Sequence, residues 1–219
     1  MKKILITEDE VIAAYRRGEQ NLSAGKEYVF TPLALDRIKA LGMSIGADTP
    51  EDKSEKTEKQ TKAITDFSGL KVCIGGDHTG FQLRKVIIQF LQGKGIAVED
   101  LGSYSEESCD YPDFAKAVAS LVSKGSVHFG IVVDATGNPS AITANKFKGV
   151  RAANCFNEFI AKSAREHNNA NILALGAKAI GEETVKSILE AWLSSQFLGE
   201  RHQKRLDKIA KVEELNFRS

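Results

Sequence analysis

From Leu70 onward the hydrophobic pattern switches back and forth between short apolar runs and stretches of helical period. KVCIG, IAVEDLG, HFGIVVD, VRAANC and NILALGA read as strands. GFQLRKVIIQFLQGKG, DYPDFAKAVASLVSKG, SAITANK and NEFIAKSAREH lie between them and read as helices, and EETVKSILEAWLSSQF follows the last strand. Strands separated in this way predict an α/β fold: a Rossmann-like five-stranded parallel sheet with helices on both faces and right-handed crossovers. GERHQKRLDKIAKVEEL then predicts a charged helix with little core-facing surface, suited to lie across a second subunit.

The first 45 residues follow a different pattern. Thr7 and Glu10 have capping-box spacing, and Val11, Ala14 and Tyr15 form one helical stripe. Thr31-Pro32 opens a second helix carrying Leu33, Ile38 and Leu41, and Gly42 stops it. Residues 1–45 are therefore expected to be a small helical module, two helices around YVF, that either binds a partner or folds onto the main domain. Residues 46–67 include ADTPEDKSEKTEKQTKAITD, which has no aromatic residue and closely mixed charge. Such a stretch cannot offset its ordering entropy by apolar burial, so it reads as a charged linker, with a solvated helical connector as the competing reading. Residues 68–219 form the main domain.

Composition narrows the function classes. With 42% apolar residues, 27% charged residues and a formal net charge of +1, the chain has no global field to draw it to nucleic acid or anionic lipid. No apolar run approaches the length of a membrane span, and MKKILI is followed too soon by TEDE to act as a secretory signal. Cys73, Cys109 and Cys155 are odd in number and widely spaced, a pattern of reduced thiols rather than of a disulfide framework or metal site. A cytoplasmic protein without membrane or nucleic-acid partners is expected.

Candidate chemistry collects at the ends of the elements. GIVVDATGNPSAITANK places Asp134 where a buried strand breaks into a loop carrying Thr136, Gly137 and Pro139. Backbone N–H groups and a helix N-terminus converge at such a place, and open α/β sheets bind ligands there. GGDHTGF puts Asp77 and His78 at the end of the first strand of this domain. AREHNNAN gives His167 and Asn168, and GERHQKR gives Arg201, His202 and Arg205. Three of the four histidines thus sit in polar turns or helix ends beside Asp and Arg residues. A nucleotide-binding reading is weak, because GGDHTG lacks the GxGxxG spacing.

Taken in order, GGDHTGF, YSEESCDYPDFA, the GIVV…TG…SAITANK strand and loop, GVRAANC, AREHNNANILALGA and GERHQKR resemble the ribose-5-phosphate isomerase type B / galactose-6-phosphate isomerase family over residues 70–210. The resemblance implies an aldose–ketose isomerase acting on a phosphorylated sugar with no metal and no cofactor. It also implies a homodimer or dimer of dimers with its sites at the interface. Asp77 and His78 match the pair that contacts sugar and phosphate, Tyr111 lines the pocket, and His167 matches the ring-opening histidine with Asn168 beside it. Thr136 and Gly137 match the loop that cradles the enediolate. Arg201 and Arg205 match the phosphate-binding arginines of the neighbouring subunit.

One loop departs from the family pattern. DATGNP stands where the family usually has CGTGIG, so Asp134 replaces the catalytic cysteine. The family's other solution, a glutamate later in the loop, falls on Ser140. Asp134 is the only carboxylate in the loop and is the expected base, as a carboxylate is in triosephosphate isomerase. Pro139 replaces a glycine and removes one N–H donor, which Asn138 is placed to replace through its side-chain amide. The alternative is a catalytically impaired member that binds a sugar phosphate or plays a structural role. ITEDEVIAAYRRGEQ with FTPLALDRIKALG separately resembles the opening segment of ethanolamine-utilisation microcompartment enzymes. That likeness implies docking to a microcompartment shell or enzyme partner through residues 1–45, and so a location inside a microcompartment; an ordinary N-terminal extension is the other reading.

Overall fold

A computed structural model of the chain describes residues 4–23, 28–46, 67 and 69–217. The predicted linker, residues 46–67, lies almost wholly outside them. The chain divides into two compact units, Met1–Lys59 and Gln60–Ser219.

The first unit is not simply helical. It contains β1 (Ile4–Ile6), α1 (Glu8–Arg16), β2 (Asn21–Ser23), β3 (Tyr28–Phe30), α2 (Pro32–Ala40) and β4 (Ser44–Gly46). β1 pairs in parallel with β3 and β2 with β4, so two strand–helix–strand passes interlock. YVF is a strand of this unit rather than a connection. The predicted caps are present: Thr7 N–H donates to the Glu10 carboxylate at 2.7 Å, and Thr31 Oγ1 accepts from Ala34 N–H at 3.2 Å. Val11, Ala14, Ala34, Ile38 and Met43 form the small core. Tyr15 and Leu33 stay outside it, at 48% and 63% exposure, because the helices turn their alanines toward each other instead.

The second unit carries β5 (Lys71–Gly76), α3 (Phe81–Gly93), β6 (Ala97–Asp100), α4 (Tyr111–Ser123) and β7 (Phe129–Asp134). It continues through α5 (Asn138–Ala144), β8 (Ala152–Asn154), α6 (Glu158–Asn168), β9 (Ile172–Gly176), α7 (Glu182–Ser194) and α8 (Glu200–Asn216). The five strands form one parallel sheet, as the sequence pattern predicts, and their order in it is β6-β5-β7-β9-β8. Strand periodicity of two sorts the apolar side chains onto two cores. Val72, Ile74, Ile131, Val133, Leu173 and Leu175 pack with α3, α6 and α7, while Cys73, Val132, Ile172 and Ala174 pack with α4 and α5. Burying each of the larger aliphatic side chains contributes roughly 1.5–3 kcal/mol, so the two cores dominate the stability of this unit.

Helix sidedness determines where a ligand can enter. β5 and β9 lead into α3 and α7 on one face, whereas β7 leads into α5 on the other. Crevices therefore open on both sides of the loop that follows β7, at the carboxyl ends of the strands. Pro139 does not interrupt that loop. It lies in the first turn of α5, where a missing N–H and a fixed φ are tolerated.

Candidate functional site

Asp77 ends β5 and caps a short turn. Its Oδ1 accepts from Thr79 N–H at 2.9 Å, Thr79 Oγ1 at 2.6 Å and Gly80 N–H at 3.3 Å. Asp77 N–H donates to the Val133 carbonyl at 3.2 Å, which ties the turn to β7. A Cβ on Gly80 would lie 2.6 Å from that same carbonyl, so only glycine permits this approach. His78 Nδ1 lies 3.2 Å from both the backbone N and O of Cys109, holding the segment before α4 over the turn. Tyr111, the first residue of α4, is half-buried.

The same segment is clamped from beneath. Arg84, buried in α3, pairs with Asp100 and donates to the Ser103 carbonyl, with its guanidinium over the rings of Phe81 and Tyr104. Ser103 N–H in turn donates to Gly76 O at 2.7 Å, and Gly76 N–H to Gly102 O at 2.8 Å. Burial lowers the Arg84 pKa below the usual arginine value. Nothing in the sequence marks Arg84, since a basic residue within an amphipathic helix normally faces water.

Asp134 ends β7 and is 1% exposed. Its Oδ1 accepts from Thr136 N–H at 2.8 Å and Gly137 N–H at 2.6 Å, and its Oδ2 accepts from Ser140 N–H at 3.0 Å. The carboxylate thus organises its own loop. Gly137 takes φ +80°, and a Cβ there would lie 2.4 Å from Asn154 Oδ1. Asn154, at the end of β8, donates through Nδ2 to Thr136 O at 3.2 Å and to Asn138 Oδ1 at 2.6 Å. Sequence reasoning passed over Asn154, because a three-residue strand offers no pattern that singles out its last side chain.

His167, Asn168, Arg201 and Arg205 are grouped elsewhere. α6 starts after the carboxyl end of β8 and finishes before the amino end of β9, so His167 and Asn168 lie at the opposite edge of the sheet from Asp134. At ~3.3 Å per residue the five residues of β9 hold those edges about 15 Å apart. His167 Nδ1 lies 3.1 Å from Ser163 Oγ, and its ring stacks on His202 at 4.4 Å between centroids with an interplanar angle of 4°. Arg201 Nε approaches His202 Nε2 at 3.4 Å, and Arg201 and Arg205 are exposed. The Asn168 carbonyl accepts from Arg151 Nε at 3.0 Å. One chain therefore brings together Asp77, His78, Tyr111, Asp134, Thr136 and Gly137, and separately His167, Asn168, Arg201 and Arg205, but not the two groups.

Residues 72–209 match the model of the family described as Ribose/Galactose Isomerase. The chain belongs to this family. Its members among characterised proteins include the ribose-5-phosphate isomerase B of Escherichia coli, 42% identical over 144 residues that cover 66% of this chain and 97% of that protein. The solved ribose-5-phosphate isomerase B of Clostridium thermocellum is 44% identical, covers 67% of this chain and 99% of its own, and superposes with a TM-score of 0.66. A structure of ribose-5-phosphate isomerase B from Mycoplasma genitalium with bound ribulose-5-phosphate is 40% identical, covering 67% of this chain and 97% of its own, with a TM-score of 0.64. Family membership makes the chain a sugar-phosphate isomerase by class, while residues 1–46 lie outside the matched region.

The thiols and the acidic groups add little further chemistry. Cys73 and Cys155 are buried in the core, and burial pushes both thiols up to about 12. Among the described residues no cluster of His, Cys, Asp and Glu is arranged to hold a metal ion, and no helix is long and apolar enough to cross a membrane.

Proposed function

We propose that the chain interconverts ribose 5-phosphate and ribulose 5-phosphate through an enediolate, with Asp134 as the base. The observation that carries this reading is a buried carboxylate at the carboxyl end of β7, fixed by three backbone N–H groups. Oδ2 accepts only one of those bonds, so it keeps a lone pair for a carbon-bound proton. Asp134 takes the proton from the carbon beside the carbonyl, and the C–H electron pair becomes the carbon–carbon double bond. The carbonyl pair moves onto oxygen. The proton then returns to the neighbouring carbon while the hydroxyl proton on the second carbon's oxygen passes to the former carbonyl oxygen, so that a ketone and a new hydroxyl result and no atom is lost. The bound ribulose-5-phosphate of the Mycoplasma genitalium relative supports this choice of sugar.

In this reading Asp77, His78 and Tyr111 contact the sugar, while Thr136 and Gly137 shape the loop around it. His167 serves ring opening with Asn168 beside it, and Arg201 and Arg205 hold the phosphate through guanidinium forks. Because the last four lie at the far edge of the sheet, a second copy supplies them, and the working unit is a dimer or a dimer of dimers. Asp134→Asn and Arg205→Ala chains, each inactive or weak alone, are unfolded together and refolded. Random pairing leaves half of the dimers mixed with one intact site each, so about a quarter of parental activity returns. No recovery, or a monomer in light scattering, rejects the shared site. Residues 1–45 are assigned to docking on a microcompartment shell or an enzyme partner, in keeping with the exposed Leu5, Leu33 and Leu35. Removing them leaves substrate affinity unchanged; a large loss of affinity overturns that assignment.

A further inference from the structure

His167 is held from two sides before any ligand arrives. Ser163 and His167 stand four residues apart in α6, so their side chains share one face of the helix. Ser163 Oγ lies 3.1 Å from His167 Nδ1. His202, buried in the first turn of α8, stacks its ring on that of His167, 4.4 Å between centroids and within 4° of parallel. Leu198 N–H donates to the Glu166 carbonyl at 3.0 Å, which ties the approach to α8 to the last turn of α6. A half-turn of the His167 ring would put carbon where Nδ1 meets Ser163, so the contact fixes which nitrogen faces outward. Among the described residues that outward nitrogen, Nε2, has no hydrogen-bond partner in the protein.

We infer that Ser163 is the positioning residue for ring opening: its Oγ accepts Nδ1–H and leaves the Nε2 lone pair of a neutral His167 for the sugar. This assignment rests on the isomerase reading. A cyclic sugar opens when its anomeric hydroxyl loses a proton and its ring oxygen gains one. Nε2 takes the hydroxyl proton, and the O–H electron pair becomes the second bond of the new carbonyl. The bond from the anomeric carbon to the ring oxygen breaks with its electrons on that oxygen, and Nε2–H hands the proton over to it. His167 ends in the state in which it began. The opposite tautomer carries its proton on Nε2 and has no lone pair there to start the step. A free neutral imidazole side chain favours that opposite tautomer, so the ring needs a partner at Nδ1. Ser163 is only half-buried, and its own hydroxyl hydrogen can turn to water while an oxygen lone pair meets Nδ1–H. His202 holds the plane of the ring while the proton passes.

The test compares full-length Ser163→Ala, Ser163→Thr and His167→Ala with the parent; alanine is a good helix former, so α6 survives the first change. Long-range ¹H–¹⁵N NMR reads the tautomer, with the His167 signals assigned by their loss in His167→Ala. The proton is expected on Nδ1 in the parent and in Ser163→Thr, and shifted toward Nε2 in Ser163→Ala. Two rates are then measured in D₂O. One is conversion of ribose 5-phosphate, which starts as a ring. The other is deuterium entry at C1 of ribulose 5-phosphate, which has no ring because its O5 carries the phosphate. Ser163→Ala is expected to slow the first about tenfold or more, a part of the roughly 10²–10⁴-fold that a positioned acid–base group supplies, and to leave the second unchanged. Ser163→Thr should restore the first rate. Unchanged conversion, equal loss in both rates, or a parent His167 with its proton on Nε2 overturns the assignment. A parent lacking conversion or deuterium entry counts against the enediolate isomerase reading alone, and the tautomers of the parent and of Ser163→Ala then decide the role of Ser163.

Discussion

Replacing Asp134 with Asn separates the carboxylate's structural task from the chemical one proposed for it. The amide oxygen can still accept from Thr136 and Gly137, at 2.8 and 2.6 Å in the parent. The amide nitrogen then takes the place of Oδ2 and meets Ser140 N–H, 3.0 Å away, donor against donor. One charge-assisted hydrogen bond is lost and a buried N–H is orphaned, a combined cost of about 2–3 kcal/mol. For a unit of this size that lowers Tm by roughly 4–12 °C. Turnover should fall further than stability does, by about 10²–10⁴-fold, because an amide cannot accept the carbon proton. Differential scanning calorimetry and a coupled isomerase assay on the same preparation read the two effects. An unchanged Tm would refute the loop-organising role. Unchanged turnover with a lowered Tm would remove Asp134 as the base.

Three further outcomes rest on the packing. Gly137→Ala combines a φ of +80° with a Cβ 2.4 Å from Asn154 Oδ1, so it should cost about 2 kcal/mol or more in urea unfolding; a neutral effect would mean that the loop relaxes freely. Arg84→Met removes the clamp on Asp100 and Ser103 and should speed proteolytic cleavage within 101–109, whereas an unchanged cleavage rate would show that the segment is held by other contacts. The folded pKa of the Cys73 and Cys155 thiols stands near 12, above the ordinary value of 9.0, so the folded state holds these protons more tightly than the unfolded state. Their contribution is complete below pH ~9 and is lost as pH rises toward ~12. Urea midpoints should therefore fall across that window, less steeply in the Cys73→Ala/Cys155→Ala variant, and equal slopes would contradict the linkage.

The sheet was legible because its strands carry Val, Ile and Leu runs long enough to show, and each helix between them has a clear apolar period. Residues 4–46 were half legible. Caps at Thr7 and Thr31 announce α1 and α2, but ILI, NLS, YVF and SIG are too short for a period of two to stand out. Asp134 was visible as a carboxylate at a strand end, yet its three backbone partners depend on how the chain turns afterward. Pro139 illustrates the limit: sequence placed it in a loop, while the α5 boundary puts it in a helical first turn. The separation of His167 and Asn168 from the other predicted site residues follows from α6 running antiparallel to the strands. That is a property of topology, and local pattern does not carry it.

An enediolate route passes a carbon-bound proton through the protein, where it can exchange with solvent. Ribose 5-phosphate is incubated with the full-length protein in D₂O and followed by ¹H and ¹³C NMR. Ribulose 5-phosphate carrying solvent deuterium at C1 is expected, with neither conversion nor exchange in Asp134→Asn. Conversion without deuterium at C1, or no conversion and no exchange in the parent protein, would overturn the enediolate route.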